Sequence, residues 1–437
     1  VENDMISWRF DGTSGRLLNA RTSAGKLNLN LTMVQYPTDV SSALKGDAYS
    51  WCPASPAAPI LTTSDCNPTS MEVIDGKVVS RLIVSFNSSR SPCINGTSWS
   101  TVYTVFKVGS DEQRATIDVE IVVGPDVQEN SEVAVRIKAG NGLDPNGEFY
   151  SDEGGFHHRK RTYEAAKDRN PLNNIAANFY PVISSAFVRD DAKDIQLTGF
   201  TTFTHGITGA TPDATLEIML HRTIDNGFIN LKDVSTAYTR FKFLLSSIAQ
   251  YNSWRSIISQ SLEHPPTPVY SNLSPADAGA IKHGEWKLGL AHLVYRPLAF
   301  NLPKNIHMLT MEAGPVISDE NARVIRFRLA YLEPSVGLAK PYEAITVNVT
   351  ALLAPSLPIV AWQKRTLSGV MELSAGDATR MHWPVDHGAT SGTKAKQQIK
   401  ETKTSHIAHP TNGWSSDPLV VSLVPLDIVT VHMKTSN

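Results

Sequence analysis

The chain has 437 residues, 41% hydrophobic and 19% charged, with a formal net charge of -2; that is enough to bury a large core in two or three domains of ~100–200 residues each. A near-neutral balance supplies no overall basic field for nucleic acid or an anionic membrane surface. No stretch approaches the ~18 consecutive apolar residues of a bilayer-spanning helix.

Along the chain the dominant pattern is strict apolar/polar alternation, the signature of half-buried antiparallel strands. "ISWRF-DGTSG-RLLNA" (Ile6–Ala20) reads as a hairpin, with Asp11, Gly12 and Gly15 in the turn. "VVSRLIVSF" puts Val78, Leu82, Val84 and Phe86 on one face. "RATIDVEIVV" does the same with Ala115, Ile117, Val119, Ile121 and Val123, leaving Thr116, Asp118 and Glu120 opposite. In "EVAVRIK" Val133, Val135 and Ile137 face inward. Helical spacing is confined to "FLLSSIAQYNSWRSIISQSL", where Leu245, Ile248, Trp254, Ile257 and Ile258 approximate one face and "HPPTP" from His264 stops it. "VIRFRL" buries Ile325, Phe327 and Leu329 between Arg326 and Arg328. From Pro384 to Asp417 the composition turns to Gly, Ser, Thr, Lys and Gln, which reads as a mobile loop. A final strand pair, "LVVSLVPLDIVTVHM", carries Pro425 at an edge, bulge or bend.

These patterns predict an all-β chain, because stacked sheets bury so many one-faced strands. A large antiparallel β-sandwich over 1–333 is expected, then a smaller C-terminal β-sandwich over 334–437 with the loop at 384–417.

The chemistry-bearing motifs are few. There is no G-x-S-x-G elbow, no P-loop and no dinucleotide glycine fingerprint. In "GEFYSDEGGFHHRKRTY" (Gly147–Tyr163) His157 and His158 are adjacent, so on a strand they point to opposite faces and cannot share one ion. Asp190 and Asp191 in "VRDDAKD" read as a charged turn. In "LEIMLHRTIDNG", Leu216, Ile218 and Leu220 alternate inward, after which His221, Arg222, Asp225 and Asn226 gather where the strand is expected to end. A polar group at a strand end can face a cleft. No catalytic residue and no metal ligand set is found on this chain.

Cys52, Cys66 and Cys93 fit no zinc spacing; two of the three can form a disulfide. N-x-S/T sequons make Asn30, Asn87, Asn95, Asn272 and Asn348 glycosylation candidates, and Asn87 and Asn95 flank Cys93 in a Ser-rich segment.

Several of these stretches, in order and at matching distances, resemble the C-terminal half of glycoside hydrolase family 38, the class II α-mannosidases, nearest the lysosomal type. "FYSDEGG" (Phe149–Gly155) stands where that family has "FYTDSNG", and "ANFYPV" (Ala177–Val182) where it has "GNYYPV". "LTGFTTFTHGITGATPDATLEIMLHRT" (Leu197–Thr223) is similar to a third family stretch ending in "HRR". The resemblance implies a galactose-mutarotase-like super-sandwich and, for the whole assembly, a zinc-dependent retaining α-mannosidase acting on mannose-containing glycans. It also implies that Zn2+ and the catalytic carboxylates sit on an N-terminal catalytic chain cut from the same precursor. The family's H-x-D and "HHDA"-like motifs do not occur here, so no catalytic or zinc position carries over. The expected compartment is a lysosome or equivalent acidic vacuole, or the secreted space, and the expected assembly a heterodimer or a larger homo-oligomer. One departure bears on the site: the family's "DD-x-RG" after "HRR" is replaced by "HRTIDNG", which keeps His221, Arg222, Asp225 and Gly227 but loses the loop arginine. That loss, with the extra cysteines, motivates a second expectation, a non-enzymatic glycan-binding or surface structural sandwich built on the same scaffold.

Overall fold

A computed structural model describes the chain except residues 41–45, 48–49, 64–65, 141, 153, 156–157, 163–174, 203–204, 210–213, 226–229, 266–297, 304, 318–321, 333–343, 354–356, 372–413, 424–426 and 437. It divides into two compact units, Val1–Pro266 with Pro334–Gly337, and Thr267–Glu333 with Leu338–Asn437.

The larger unit opens with the meander β1 (Ser7–Phe10), β2 (Leu17–Thr22) and β3 (Gly25–Pro37), then the short β4 (Ala58–Pro59). Next come β5 (Ser70–Asp75), β6 (Val79–Phe86), β7 (Trp99–Phe106), α1 (Asp111–Arg114), β8 (Thr116–Val123) and β9 (Ser131–Ala139). The run continues with β10 (Glu148–Asp152), β11 (His158–Thr162), β12 (Tyr180–Val182), β13 (Ser185–Asp190) and β14 (Ile195–Thr201). It closes with β15 (His205–Gly209), β16 (Thr215–Asp225), β17 (Asn230–Leu231), β18 (Ala237–Ser246) and α2 (Ile248–Glu263). One sheet has the order β1-β2-β3-β9-β16-β15-β12, with β4 beside β3 and β17 beside β16. The other runs β11-β10-β13-β14-β18-β8-β7-β6-β5. One hydrophobic core joins them: Leu29, Val135 and Ile218 from the first sheet meet Ile117, Leu197 and Phe243 from the second. The expected all-β sandwich is what the chain forms.

The alternating faces read from the sequence hold for Ile117, Val119, Ile121 and Val123 and for Val133, Val135 and Ile137, all buried in the sandwich core; Ala115 instead caps α1 and packs in the cluster under α2. Val78 departs too. It precedes β6 and is 56% exposed, while Ser80 takes the inward position at the strand's start. The second sheet is covered on its outer face too, because Tyr251, Ile258 and Leu262 of α2 pack on Phe187, Phe200 and Leu244. α2 starts later than its apolar pattern, since Phe243–Ser246 finishes β18; Ser247 and Gln250 form a capping box there.

In the smaller unit β19 (Ile306–Ile317), β20 (Ala322–Tyr331), β22 (Ile359–Arg365) and β24 (Ile428–Ser436) make a sheet of order β19-β20-β24-β22. A second sheet pairs β21 (Ile345–Asn348) with β23 (Val420–Leu423), and α3 (Val349–Leu353) follows β21. Phe327, Leu329, Val347, Leu352, Val421 and Met433 share its core. The expected boundary near Glu333–Pro334, residues outside those described, is therefore corrected. β20 pairs with β24 from Ala322↔Ser436 to Ala330↔Ile428, which ties the "VIRFRL" strand to the C-terminal unit. The final strands do not pair with each other as expected: β23 joins β21, and β24 joins β20 and β22. Most of the expected loop at 384–417 lies outside the described residues.

Candidate functional site

The segment singled out by sequence lies on β16, between β9 and β15. Leu216 pairs with Ile137 and Ile218 with Val135, so both point into the sandwich. The register then shifts between Met219 and His221, a β-bulge that leaves Leu220 extra. His221 thereby pairs with Val133 and turns inward, where its side chain is buried and Nε2 lies 3.1 Å from the Ser235 carbonyl and 3.9 Å from Asp233 Oδ2. Arg222 pairs with Glu132 and points to the opposite face. The strand also runs on to Asp225, so these residues do not gather at its end. Asp225 is held by Lys232, 2.9 Å away, and its backbone N–H donates to Asn130 Oδ1 at 2.7 Å. Asn226 lies outside the described residues. The expected convergence of His221 and Arg222 is corrected, because adjacent strand residues face opposite ways and the bulge sets which goes in.

The outer face of the first sheet carries a group that sequence reasoning did not assemble. Arg222 Nε donates to Glu132 Oε1 at 2.5 Å and its Nη2 to the Ser50 carbonyl at 2.6 Å. Two ranks away, past Ala134, Arg136 Nε donates to Glu217 Oε2 at 2.7 Å, and the Tyr36 hydroxyl donates to the other oxygen of Glu217. Both carboxylates are buried, Glu132 completely. Burial pushes Glu132 up to about 7 against the pull of Arg222. Burial, then the Glu217 charge, also holds the Tyr36 phenol well above its ordinary range. Tyr36, Trp51 and Phe179 meet edge to face, with ring centroids 5.2, 6.0 and 4.4 Å apart. The signal was present as acid–base residues on the outward positions of two strands, Glu132 and Arg136, then Glu217 and Arg222. Only the bulged register of β9 against β16 matches them.

This is a paired, desolvated patch rather than a reactive one, since each carboxylate already has its arginine. Among the described residues no three His, Cys, Asp or Glu side chains converge as a metal site. The described residues offer no ligand set that fits a zinc ion. His158 is buried, its Nε2 2.9 Å from Ser185 Oγ, and His157 lies outside the described residues. Asp152 of "FYSDEGG" is fully buried and accepts the backbone N–H groups of Ile183 at 2.8 Å and Ser184 at 3.0 Å, so it pins β10 to the start of β13. Asp190 and Asp191 do fall at a turn, where Asp190 accepts from the backbone of Ala192 and Lys193. Cys66 and Cys93 form the disulfide, with Cys52 outside it. Asn30, Asn95 and Asn348 are exposed and Asn87 is half-buried; Asn272 lies outside the described residues.

No family model matches the chain. Sequence relatives do match. The epididymis-specific α-mannosidase of Homo sapiens is 24% identical over 370 residues, 77% of this chain and 34% of that protein. α-Mannosidase C of Dictyostelium discoideum is 27% identical over 206 residues, 46% of this chain and 18% of that protein. The lysosomal α-mannosidase of Felis catus is 27% identical over 261 residues, 57% of this chain and 24% of that protein. Homologues of this chain are α-mannosidases. The chain spans about a third of the length of the human relative it matches. Similar solved structures include a galactose mutarotase-like protein from Lactobacillus casei, with TM-score 0.34, 10% identity, and coverage of 56% of this chain and 98% of that one. A second is an aldose epimerase homologue from C. elegans, with TM-score 0.30, 10% identity, and coverage of 56% and 97%. No helix among the described residues of this mannosidase-related chain is long and apolar enough to cross a membrane.

Proposed function

We propose that this chain is the non-catalytic C-terminal part of a zinc-dependent retaining α-mannosidase of glycoside hydrolase family 38, lysosomal type, which removes terminal α-mannose from glycoprotein glycans. The observation carrying this reading is the match to the human α-mannosidase over 77% of the chain but only 34% of that relative. A share of that size leaves room for a catalytic portion elsewhere. On this reading zinc and the catalytic carboxylates belong to an N-terminal chain of the same precursor. The two units described here pack beside it and shape the rim of its site. Arg222, Asp225 and Asn226 are the rim residues, and His221 serves them from inside the sandwich by holding the Ser235 carbonyl behind the bulge. An acidic lysosomal or vacuolar compartment, or secretion, goes with this reading, as does glycan on the exposed Asn30, Asn95 and Asn348.

The test is co-expression. Aryl α-mannoside hydrolysis is expected only when the N-terminal portion is present, and hydrolysis by this chain alone with zinc would overturn the division of roles. A second reading, a glycan-binding module without catalysis, rests on "HRTIDNG" (His221–Gly227), which lacks the loop arginine of the family stretch. Native material free of any co-purifying catalytic chain would select it.

A further inference from the structure

The four-stranded sheet of the smaller unit buries one face, through Ile325, Phe327, Val431, Met433 and Trp362. Its other face is basic. Register brings Arg326, His432 and Gln363 into one rank and Arg328, Thr430 and Arg365 into the next, with Lys434 two residues beyond His432. Neighbouring strands are ~4.8 Å apart and alternate residues ~6.8 Å apart along a strand, so four cations fall within a patch roughly 10 by 14 Å. Among the described residues Glu312 pairs with Arg326 at 3.1 Å and is itself 52% exposed. A chain whose total charge is -2 thus concentrates an excess of positive charge on one small surface.

Like charges on neighbouring strands cost stability, and so do buried donors left without acceptors. Both occur here. Arg326 Nε, Arg365 Nε and His432 Nε2 are buried with no hydrogen-bond partner among the described residues. The turn after β22 arches over this face: Leu367 and Val370 turn carbonyls toward Arg328 and Arg365. At its apex Gly369 has φ +76°, and a Cβ there would stand 2.9 Å from Arg326 Nε and 3.1 Å from His432 Nε2. Only a glycine lets the turn's backbone pass this close to Arg326 and His432. Burial, then Arg365, Arg326 and Arg328, lowers the His432 pKa, so its ring adds a polar contact without adding charge. Lys434 Nζ lies 4.6 Å from the Trp414 ring centroid at the edge of the patch.

We propose that this face binds a multiply charged tetrahedral oxyanion, a phosphate or sulfate ester, with Arg326, Arg328, Arg365 and Lys434 supplying the positive charge. A single carboxylate carries too little charge to balance four cations; a phosphate dianion or neighbouring sulfates can do so, and arginine forks match their oxygens. The proposal concerns the smaller unit alone and does not depend on the mannosidase reading.

Calorimetric titration of the full chain at low salt tests it, using inorganic phosphate, inorganic sulfate, a hexose phosphate and a sulfated disaccharide. Binding that weakens with salt is expected, and Arg328→Gln or Arg365→Gln should each weaken it about tenfold or more, while Arg81→Gln on the exposed face of β6 leaves it unchanged. Esters tighter than the free ions would identify a modified glycan as the source, and equal affinities a free ion; either supports the site. Each variant relieves like-charge repulsion but also gives up a carbonyl partner in the turn, so its melting temperature is measured alongside, and the weaker binding should be seen at a temperature where the variant is fully folded. In parallel, the imidazole resonance of His432, assigned with His432→Gln, should move on titration. The proposal is overturned if no probe binds, if the arginine variants bind as the parent does, if His432 does not respond to a bound probe, or if an oligonucleotide of equal charge binds as tightly as the ester.

Discussion

Glu132 gives the larger unit a pH dependence whose sign can be worked out. Its carboxyl is completely buried and stands at about 7, against 4.5 in an exposed chain, with burial as the first cause. An acid whose folded pKa is raised holds its proton longer when folded than when unfolded. Between pH 4.5 and 7 the folded state therefore binds more protons, and stability falls as pH rises through that window. The penalty is absent below the unfolded pKa and complete above the folded one. The separation between the two values corresponds to about 3 kcal/mol at pH 8 relative to pH 4. Glu132→Gln removes the titration while keeping the shape and one acceptor for Arg222. Urea unfolding at pH 4.5, 6 and 7.5, with the parent compared to the variant, isolates the effect from other carboxyls. The variant should gain on the parent by about 2–3 kcal/mol between the lowest and highest pH. Parallel stability curves, or a parent that gains on the variant as pH rises, would refute the reasoning and mean that Arg222 outweighs burial.

Other perturbations follow from the same packing. Arg222→Ala removes the counter-charge of the buried Glu132, which then takes up a proton, and should cost about 2–3 kcal/mol at pH 7.5, clearly less when Glu132→Gln is also present; equal costs in chemical denaturation would sink the pairing. Asp152→Ala orphans backbone donors of Ile183 and Ser184 and should cost about 3 kcal/mol, read from the same denaturation curves. Tyr251→Ala opens a void between α2 and Phe187, Phe200 and Leu244, and should cost roughly 3–5 kcal/mol with loss of helix protection in hydrogen exchange. Non-reducing peptide mapping should link Cys66 to Cys93, and replacing both with alanine should cost about 3–4 kcal/mol for a loop with sequence separation 27.

Much of the architecture was legible because period-two alternation is local. Ile117, Val119 and Ile121 had to share a face whatever they met. What escaped was set by partners far away in sequence. Asp118 reads as an outward, solvated residue, yet it is 1% exposed because Lys242 and Arg240 on β18 close over it. The boundary was misplaced because β20 finds its neighbour β24 across the whole smaller unit. At the candidate site the residue types were visible but their directions were not. A single bulge at Leu220 sends His221 inward and Arg222 outward, and nothing in "MLHRT" announces it. The acid–base pairs of the outer face and the basic ranks of the smaller sheet exist only once strand registers are fixed.

The central claim is that this chain supports mannosidase chemistry without performing it. The most direct measurement is the hydrolysis of an aryl α-mannoside, with zinc at acidic pH, by this chain alone and by this chain co-expressed with the proposed N-terminal catalytic chain. The account predicts background rates for the first and zinc-dependent turnover for the second. Turnover by the chain alone, abolished by a chelator, would contradict it.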